Sequence, residues 1–194
     1  MNELQTRPQD EGRIREIWGT CFEDTQAFID WFFENRYDHR QTLSLRENGI
    51  IMSNVQMIPY RVRLRGTVLD SWFIVGAATT PEARYKGHMA RLLQAAYGEM
   101  RQNGVCISHL YPFQYDFYRK FGYEVCSERL LCRYTPKEIL GSLGTGRLAA
   151  VPRKVRGLAP SDIPIKLADC YQACMAGRDG YVLRDADSLR LRIS

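Results

Sequence analysis

The chain is organised around residues 71–93, which read SWFIVGAATTPEARYKGHMARLL. They open with a mostly apolar, β-branched and aromatic run, which predicts a buried strand. Pro81 ends the run, and after a short loop Met89, Leu92 and Leu93 recur at helical spacing. The pattern therefore predicts a strand, a loop and the amino terminus of a helix. Such a junction presents free backbone N–H groups and the positive end of the helix dipole, so it suits a phosphate or pyrophosphate group.

The loop itself supports an anion site. Arg84 and Lys86 add positive charge there, and Gly87 lets a ligand approach the backbone closely. The chain has no Gly-x-Gly-x-x-Gly pattern and no Walker Lys-Ser/Thr pattern, which disfavours dinucleotide and nucleoside-triphosphate sites.

Two segments resemble the GNAT acyltransferases. Residues 84–90, RYKGHMA, resemble the acetyl-CoA signature Arg/Gln-x-x-Gly-x-Gly/Ala, although Met89 occupies its last position and Ala90 comes one place late. Residues 117–123, FYRKFGY, are similar to the pattern Phe-Tyr-x-Lys-x-Gly-Phe/Tyr. The two segments come in the family's order, with a predicted helix and strand between them.

The resemblance implies acetyl-CoA as cosubstrate and a role for each matching residue. Tyr118 would protonate the departing thiolate, which is reasonable because a phenol with a pKa near ~10 is protonated at neutral pH. The remaining cofactor residues are implied by position: Arg84, Lys86, Gly87 and His88 at the pyrophosphate, and Val75 and Ala77 along the pantetheine arm. We expect the His88 ring to point to solvent or cofactor. His109 is expected to be a structural histidine, with catalysis as the alternative.

Bulk properties narrow the class of protein. The 194 residues suffice for one well-buried core, and the net charge of +5 is modest. The basic residues are dispersed, which favours a pocket for an anionic cofactor over a nucleic-acid surface. No apolar run is long enough to span a bilayer, and the six cysteines form no Cys-x-x-Cys pair. We therefore expect a cytoplasmic protein with reduced thiols, no metal site, and neither nucleic-acid nor membrane partners.

The rest of the pattern predicts an α+β fold with a central mixed sheet flanked by helices. Residues 9–35 predict two helices, the second beginning near Asp24 and Thr25. Three alternating strands follow as an antiparallel meander, at 42–46, 50–58 and 60–65, with Asn48 and Gly49 in the first turn. The strand at 71–79 would then join a parallel strand at 105–110 through a helix over 85–103 that ends at Gly104.

A longer resemblance, over roughly residues 1–135, is to the bacterial enhanced intracellular survival (Eis) family. Residues 75–89, 110–112 and 117–123 carry it, together with Asp24, Phe28, Trp31 and Phe32 near the amino terminus. Members acetylate amines, including those of aminoglycosides, and typically form hexamers. The resemblance therefore implies a small cationic amine as substrate, Asp24 and Trp31 as substrate-binding residues, and a homo-oligomer. Packing under the sheet is the alternative role for the aromatic residues around Trp31.

The first domain is predicted over 1–136, with its last strand ending near Tyr134. A linker over 137–152 follows. Residues 153–194 predict the start of a second, incomplete GNAT-like domain, with a strand near residue 155 and a helix around Cys170. The resemblance implies that Eis relatives use their carboxy-terminal carboxylate as the base. Ser194 does not match that position, so the base stays unidentified. Our first hypothesis is direct acetyl transfer from acetyl-CoA to a primary amine. The alternative is a non-catalytic acyl-CoA-binding or oligomerisation module from a truncated chain.

Overall fold

A five-stranded mixed sheet forms the centre of the molecule. The computed structural model describes residues 4–128, 131–139, 141 and 162–193. In chain order its elements are helices α1 (Glu11–Cys21) and α2 (Gln26–Asn35), strands β1 (Thr42–Glu47), β2 (Ile50–Leu64) and β3 (Thr67–Thr79), helix α3 (His88–Gln102), strand β4 (Ile107–Leu110), helices α4 (Tyr115–Arg119) and α5 (Ile163–Met175), strand β5 (Tyr181–Val182) and helix α6 (Ala186–Ile193). The predicted α+β class is confirmed.

The strands lie in the order β1-β2-β3-β4, with β2 antiparallel to both of its neighbours, β1 and β3. Strand β4 pairs parallel to β3, and α3 makes the crossover that parallel pairing requires. Asn48 and Gly49 form the first turn with φ values of 51° and 82°, the left-handed region that an Asn-Gly pair accepts. The predicted strand–helix–strand unit is therefore present, and the meander that leads into it has two strands instead of three, because β2 covers both 50–58 and 60–64.

Helices α1 and α2 cover one face of the sheet. Ile14, Ile17 and Trp18 are the buried side chains of α1, and they recur at the spacing of one helix face. Helix α2 begins where the sequence predicts, because Thr25 Oγ1 accepts the N–H of Phe28 at 3.3 Å. Such a cap contributes about 1 kcal/mol to stability.

Helix α3 covers the opposite face. Its Leu92, Leu93 and Ala96 have no solvent exposure and share a hydrophobic cluster with Val55 and Met57 of β2. Burial of each leucine contributes about 1.5–3 kcal/mol. The two faces of the sheet are therefore both closed by apolar helices, which holds β3 rigidly between them.

Several boundaries differ from the sequence-based expectation. Helix α3 begins at His88 instead of residue 85, because Tyr85 and Gly87 have φ values of 64° and 80° that an α-helix cannot contain. Strand β2 runs unbroken through Pro59. Strand β1 pairs no further than Gln56, so Pro59 lies where β2 has an edge, a position that proline tolerates.

The expectation of a strand ending near Tyr134 is wrong, since residues 123–128 and 131–135 form no strand. Most of the expected linker, and the expected strand near residue 155, lie outside the described residues. The expected helix around Cys170 is present as α5, and β5 joins the main sheet by pairing antiparallel with Val62 and Arg63 of β2. No helix in the described part of the chain is both long and apolar enough to cross a bilayer.

Candidate active site

Strand β3 carries a bulge at Gly76, where its pairing with β2 shifts register. Gly76 has a φ of 57°, and a Cβ there would lie 2.8 Å from both Gln56 Nε2 and Trp18 Cζ3. The Nδ2 of Asn54 donates to the Gly76 carbonyl at 2.9 Å and holds the bulge from the neighbouring strand. Glycine is required here by both conformation and space.

The far half of β3 has an open edge on its β4 side. Strand β4 pairs with β3 from Ser71 to Ile74 and ends at Leu110. Beyond Ile74, no described strand pairs with β3 on that side, and Val75 and Ala77 lie in this segment. An unpaired strand edge presents backbone N–H and C=O groups, which are the groups that the amides of an extended ligand would pair with.

The loop between β3 and α3 is basic and exposed. Arg84 and Lys86 are both exposed, and the Nε of Arg84 lies 3.4 Å from the Thr79 carbonyl. Tyr85 and Gly87 take left-handed conformations, and Gly87 is the residue that precedes the helix. The first N–H groups of α3 have no partner within the helix, so a basic loop and a helix amino terminus converge as an anion site.

Glu47, at the end of β1, contacts this loop. Its carboxylate accepts from Lys86 Nζ at 2.9 Å and lies 3.0 Å from His88 Nε2. Lys86 first and His88 second lower the pKa of Glu47. The His88 ring is buried on Glu47, so the expectation that it points to solvent or cofactor is wrong for the side chain. No local pattern links residues 47 and 88, and sequence reasoning therefore missed Glu47.

Tyr118 lies near the end of α4, as the resemblance implies. Its side chain is 6% exposed and packs among the rings of Phe113, Phe117 and Tyr123. Burial, and next the Tyr123 phenol, raise the pKa of Tyr118 to about 12. The hydroxyl therefore keeps its proton at neutral pH and can serve as a proton donor.

The loop after β3 and helix α4 after β4 lie at the same edge of the sheet, because the two strands run parallel. A cleft of about 800 Å³ runs along β4, and His109, Leu110, Tyr118 and Tyr123 are among its lining residues. A candidate anion site and a candidate proton donor thus lie at the same end of the sheet. This arrangement can hold an acidic ligand and supply a proton beside it.

Asp24 and Trp31 lie on the α1–α2 side of β3. The Asp24 carboxylate accepts from Trp18 Nε1 at 2.9 Å, and the Trp18 ring is the one that touches Gly76. Trp31 is half-buried and stacks on the exposed Phe28 ring, with centroids 5.9 Å apart. Asp24 is therefore linked to the bulge through Trp18, whereas the described ring contacts connect Trp31 to Trp18 by way of Phe28.

His109 is tied to β3 by a side-chain hydrogen bond. Its Nδ1 lies 2.6 Å from Ser71 Oγ, and its ring packs near Phe73 at 5.2 Å and Tyr60 at 5.9 Å. Burial lowers the pKa of His109 below its ordinary value. The imidazole is therefore neutral at physiological pH. Among the described residues, no group of three His, Cys, Asp or Glu side chains is placed to hold a metal ion.

Comparison with protein-family models gives a match over residues 5–126 to the model described as an acetyltransferase (GNAT) domain. Comparison with curated protein sequences gives no match.

Solved structures resemble the fold. A conserved protein of unknown function from Enterococcus faecalis V583, described as a probable N-acyltransferase, has a TM-score of 0.72 at 20% identity. The match covers 94% of this chain and 46% of that protein. Eis1 from Mycobacterium abscessus has a TM-score of 0.54 at 13% identity, covering 62% of this chain and 31% of Eis1. A GNAT family acetyltransferase from Brucella melitensis, in complex with acetyl-CoA, has a TM-score of 0.53 at 20% identity. The match covers 62% of this chain and 80% of that protein.

At these identities the likeness concerns the fold alone. The chain spans less than half the length of the Enterococcus protein and about a third of Eis1.

Proposed function

The chain belongs to the GNAT acetyltransferase family, and from that premise we propose that it transfers the acetyl group of acetyl-CoA to a primary amine. The observation that carries this proposal is the placement of a basic helix amino terminus and the buried Tyr118 at the same edge of the sheet. The thioester supplies an activated acetyl group. The residues of the chain bind it and move protons.

The loop residues fit the phosphate part of the cosubstrate. Arg84 and Lys86 would neutralise the pyrophosphate, and the backbone at Gly87 and His88 would donate hydrogen bonds to it. The open edge of β3 at Val75 and Ala77 fits the pantetheine amides. The left-handed backbone at Gly87 supports this assignment, because it favours glycine, and glycine has no side chain that would cover the phosphate site.

Tyr118 would give its hydroxyl proton to the departing sulfur. Its raised pKa keeps the phenol protonated at neutral pH, so a proton is present when the carbon–sulfur bond breaks. The aromatic rings around it exclude water from the phenol, and this favours directed proton transfer.

The acceptor would be a small cationic amine, an aminoglycoside among the candidates. Asp24 supports this choice, because its exposed carboxylate beside Trp18 offers a negative charge on the α1–α2 side of β3. Trp31 and Phe28 offer aromatic surface for a cation. The partial fold likeness to Eis1 is consistent with an Eis-like enzyme.

Domain organisation and assembly are part of the proposal. Residues 1–136 would form the acetyl-CoA-binding domain, residues 137–152 a linker and residues 153–194 the start of a second GNAT-like unit. The match to the Enterococcus protein over 94% of this chain supports a shared layout. We also propose a homo-oligomer in the cytoplasm, and the six unpaired cysteines are consistent with a reducing compartment.

Calorimetric titration with acetyl-CoA, followed by thiol release with kanamycin and neomycin as acceptors, tests the function. Binding with acceptor-dependent thiol release would support the enzyme. Binding without release from any primary amine would instead favour the acyl-CoA-binding module. Absence of binding would overturn the assignment of the loop.

A further inference from the structure

His109 and Ser71 form a hydrogen-bonded pair across the two parallel strands. Ser71 is completely buried, and its Oγ lies 2.6 Å from His109 Nδ1. The contact with Ser71 occupies Nδ1 of the imidazole, so Nε2 is the nitrogen that remains available to accept a proton. His109 stands one residue before the end of β4, the point at which β3 and β4 cease to pair.

We propose that His109 is the general base that removes a proton from the acceptor amine, with Nδ1–H donating to Ser71 Oγ and the Nε2 lone pair accepting the proton. The assignment rests on the acetyl transfer proposed above. His109 and Tyr118 line one cleft of about 800 Å³. A base and an acid on the same cleft are what amine acylation requires.

The surroundings of the ring keep it neutral. Phe73 and Tyr60 pack near its faces, and burial is the cause that lowers its pKa. The ionisable groups that share its cleft are Tyr111, Tyr115, Tyr118, Arg119, Tyr123, Glu124, Cys126 and Glu128. Tyr60 packs near the ring from β2, and Arg36 donates to the Tyr60 hydroxyl at 2.7 Å. Arg119 and Glu124 pair with each other at 3.3 Å, so they offset each other's field.

The protons balance in the following way. An ammonium substrate loses one proton to His109 Nε2, which passes it to solvent. The nitrogen then forms a bond to the acetyl carbonyl carbon, and the carbon–sulfur bond breaks with its electron pair on sulfur. Tyr118 gives its proton to that sulfur, and the second proton released from nitrogen restores the phenol. One amide, one thiol and one solvent proton result.

The variant His109→Asn separates chemistry from folding, because an asparagine amide can still reach Ser71 but lacks Nε2. We expect kcat to fall about 100-fold at neutral pH, with acetyl-CoA binding within about twofold of the parent. The loss should shrink roughly tenfold per pH unit as pH rises toward the amine pKa near ~10, because the free amine then needs no base. Ser71→Ala should give a smaller loss of kcat, and His39→Asn, at a half-buried histidine outside the cleft, none.

A second measurement does not depend on turnover: the NMR spectrum of the imidazole nitrogens in the chain labelled with ¹⁵N-histidine. The chain has three histidines. We expect the His109 signals to show the Nδ1–H tautomer at neutral pH and titration below the ordinary histidine pKa. An Nε2–H tautomer, or a His109→Asn loss of the same size at every pH, would overturn the proposal. Absence of turnover in the parent chain would instead count against the proposed function itself.

Discussion

Glu47, the last residue of β1, lies 3.0 Å from Nε2 of His88, the first residue of α3. The same carboxylate pairs with Lys86 at 2.9 Å, so one acidic side chain holds both residues that flank Gly87. These two contacts of Glu47 order the loop before a ligand binds. The Glu47 carboxylate also places a negative charge beside the proposed pyrophosphate site.

Replacing Glu47 by glutamine should therefore tighten CoA binding. Removal of one negative charge beside an anionic ligand is expected to lower the Kd about threefold at low salt, and the gain should disappear at high salt because the charges are screened. Calorimetry at two salt concentrations measures this, with Glu16→Gln on the exposed face of α1 as the control. Weaker binding would mean that the ordering role of Glu47 outweighs its charge.

Arg84→Ala should weaken CoA binding about tenfold, because a charge-assisted hydrogen bond to phosphate is lost. Pantetheine, which has no phosphate, should bind the parent and the variant equally. The control is Arg101→Ala, in the last turn of α3 at the opposite end of the helix. Equal losses of affinity for CoA and pantetheine would show that Arg84 does not bind the phosphates.

Tyr118→Phe should lower kcat about 100-fold while the Kd of CoA stays unchanged, because the proton donor is lost and the packing ring is kept. Tyr115→Phe on the same helix is the control, since the Tyr115 side chain is 57% exposed. Stopped-flow thiol release reports the chemical step. An unchanged kcat would mean that Tyr118 contributes only to packing.

Asp24→Asn should raise the KM of a cationic acceptor about threefold, the size expected for an exposed ion pair. The amide oxygen can still accept from Trp18 Nε1, so folding is preserved. Neither kcat nor the Kd of CoA should change, and Glu23→Gln, one residue earlier, should leave the KM as it is. Initial rates over an acceptor series provide the measurement, and a change in CoA binding would contradict the proposed role.

Gly76→Ala should destabilise the fold by about 2–5 kcal/mol, through strain at a positive φ and the clash with Trp18 and Gln56. Gly19→Ala on the exposed face of α1 should instead stabilise it by about 0.5–1 kcal/mol, because nothing lies within 4 Å of the added carbon. Urea unfolding compares the two. A small loss at Gly76 would show that the bulge relaxes.

Much of the fold could be predicted from local patterns. The Asn48–Gly49 turn, the Thr25 cap and the helical repeat of Leu92 and Leu93 each depend on neighbours in the chain, and the structure confirms all three. The start of α3 was predicted too early, because the left-handed backbone at Tyr85 is not a property that tyrosine signals.

The residues of the candidate site also fall into those that the sequence could predict and those that it could not. Arg84 and Gly87 stand in a segment whose pattern points to an anion site, and Tyr118 stands out through the resemblance of its segment to the GNAT acyltransferases. Glu47, Trp18 and Ser71 could not be predicted, because each acts on a residue far away in the chain.

The sequence by itself determined the alternation of strand and helix and the basic loop before α3, since these follow from periodicity and short-range backbone preferences. The order of the two GNAT-like segments was evident from their resemblance to the family. Only the tertiary structure decided what the side chains face. Parallel pairing of β3 with β4 sets His109 on Ser71, and the end of β1 sets Glu47 on His88. The physical reason is that strand register and helix docking, and not local spacing, bring residues dozens of positions apart within hydrogen-bond distance.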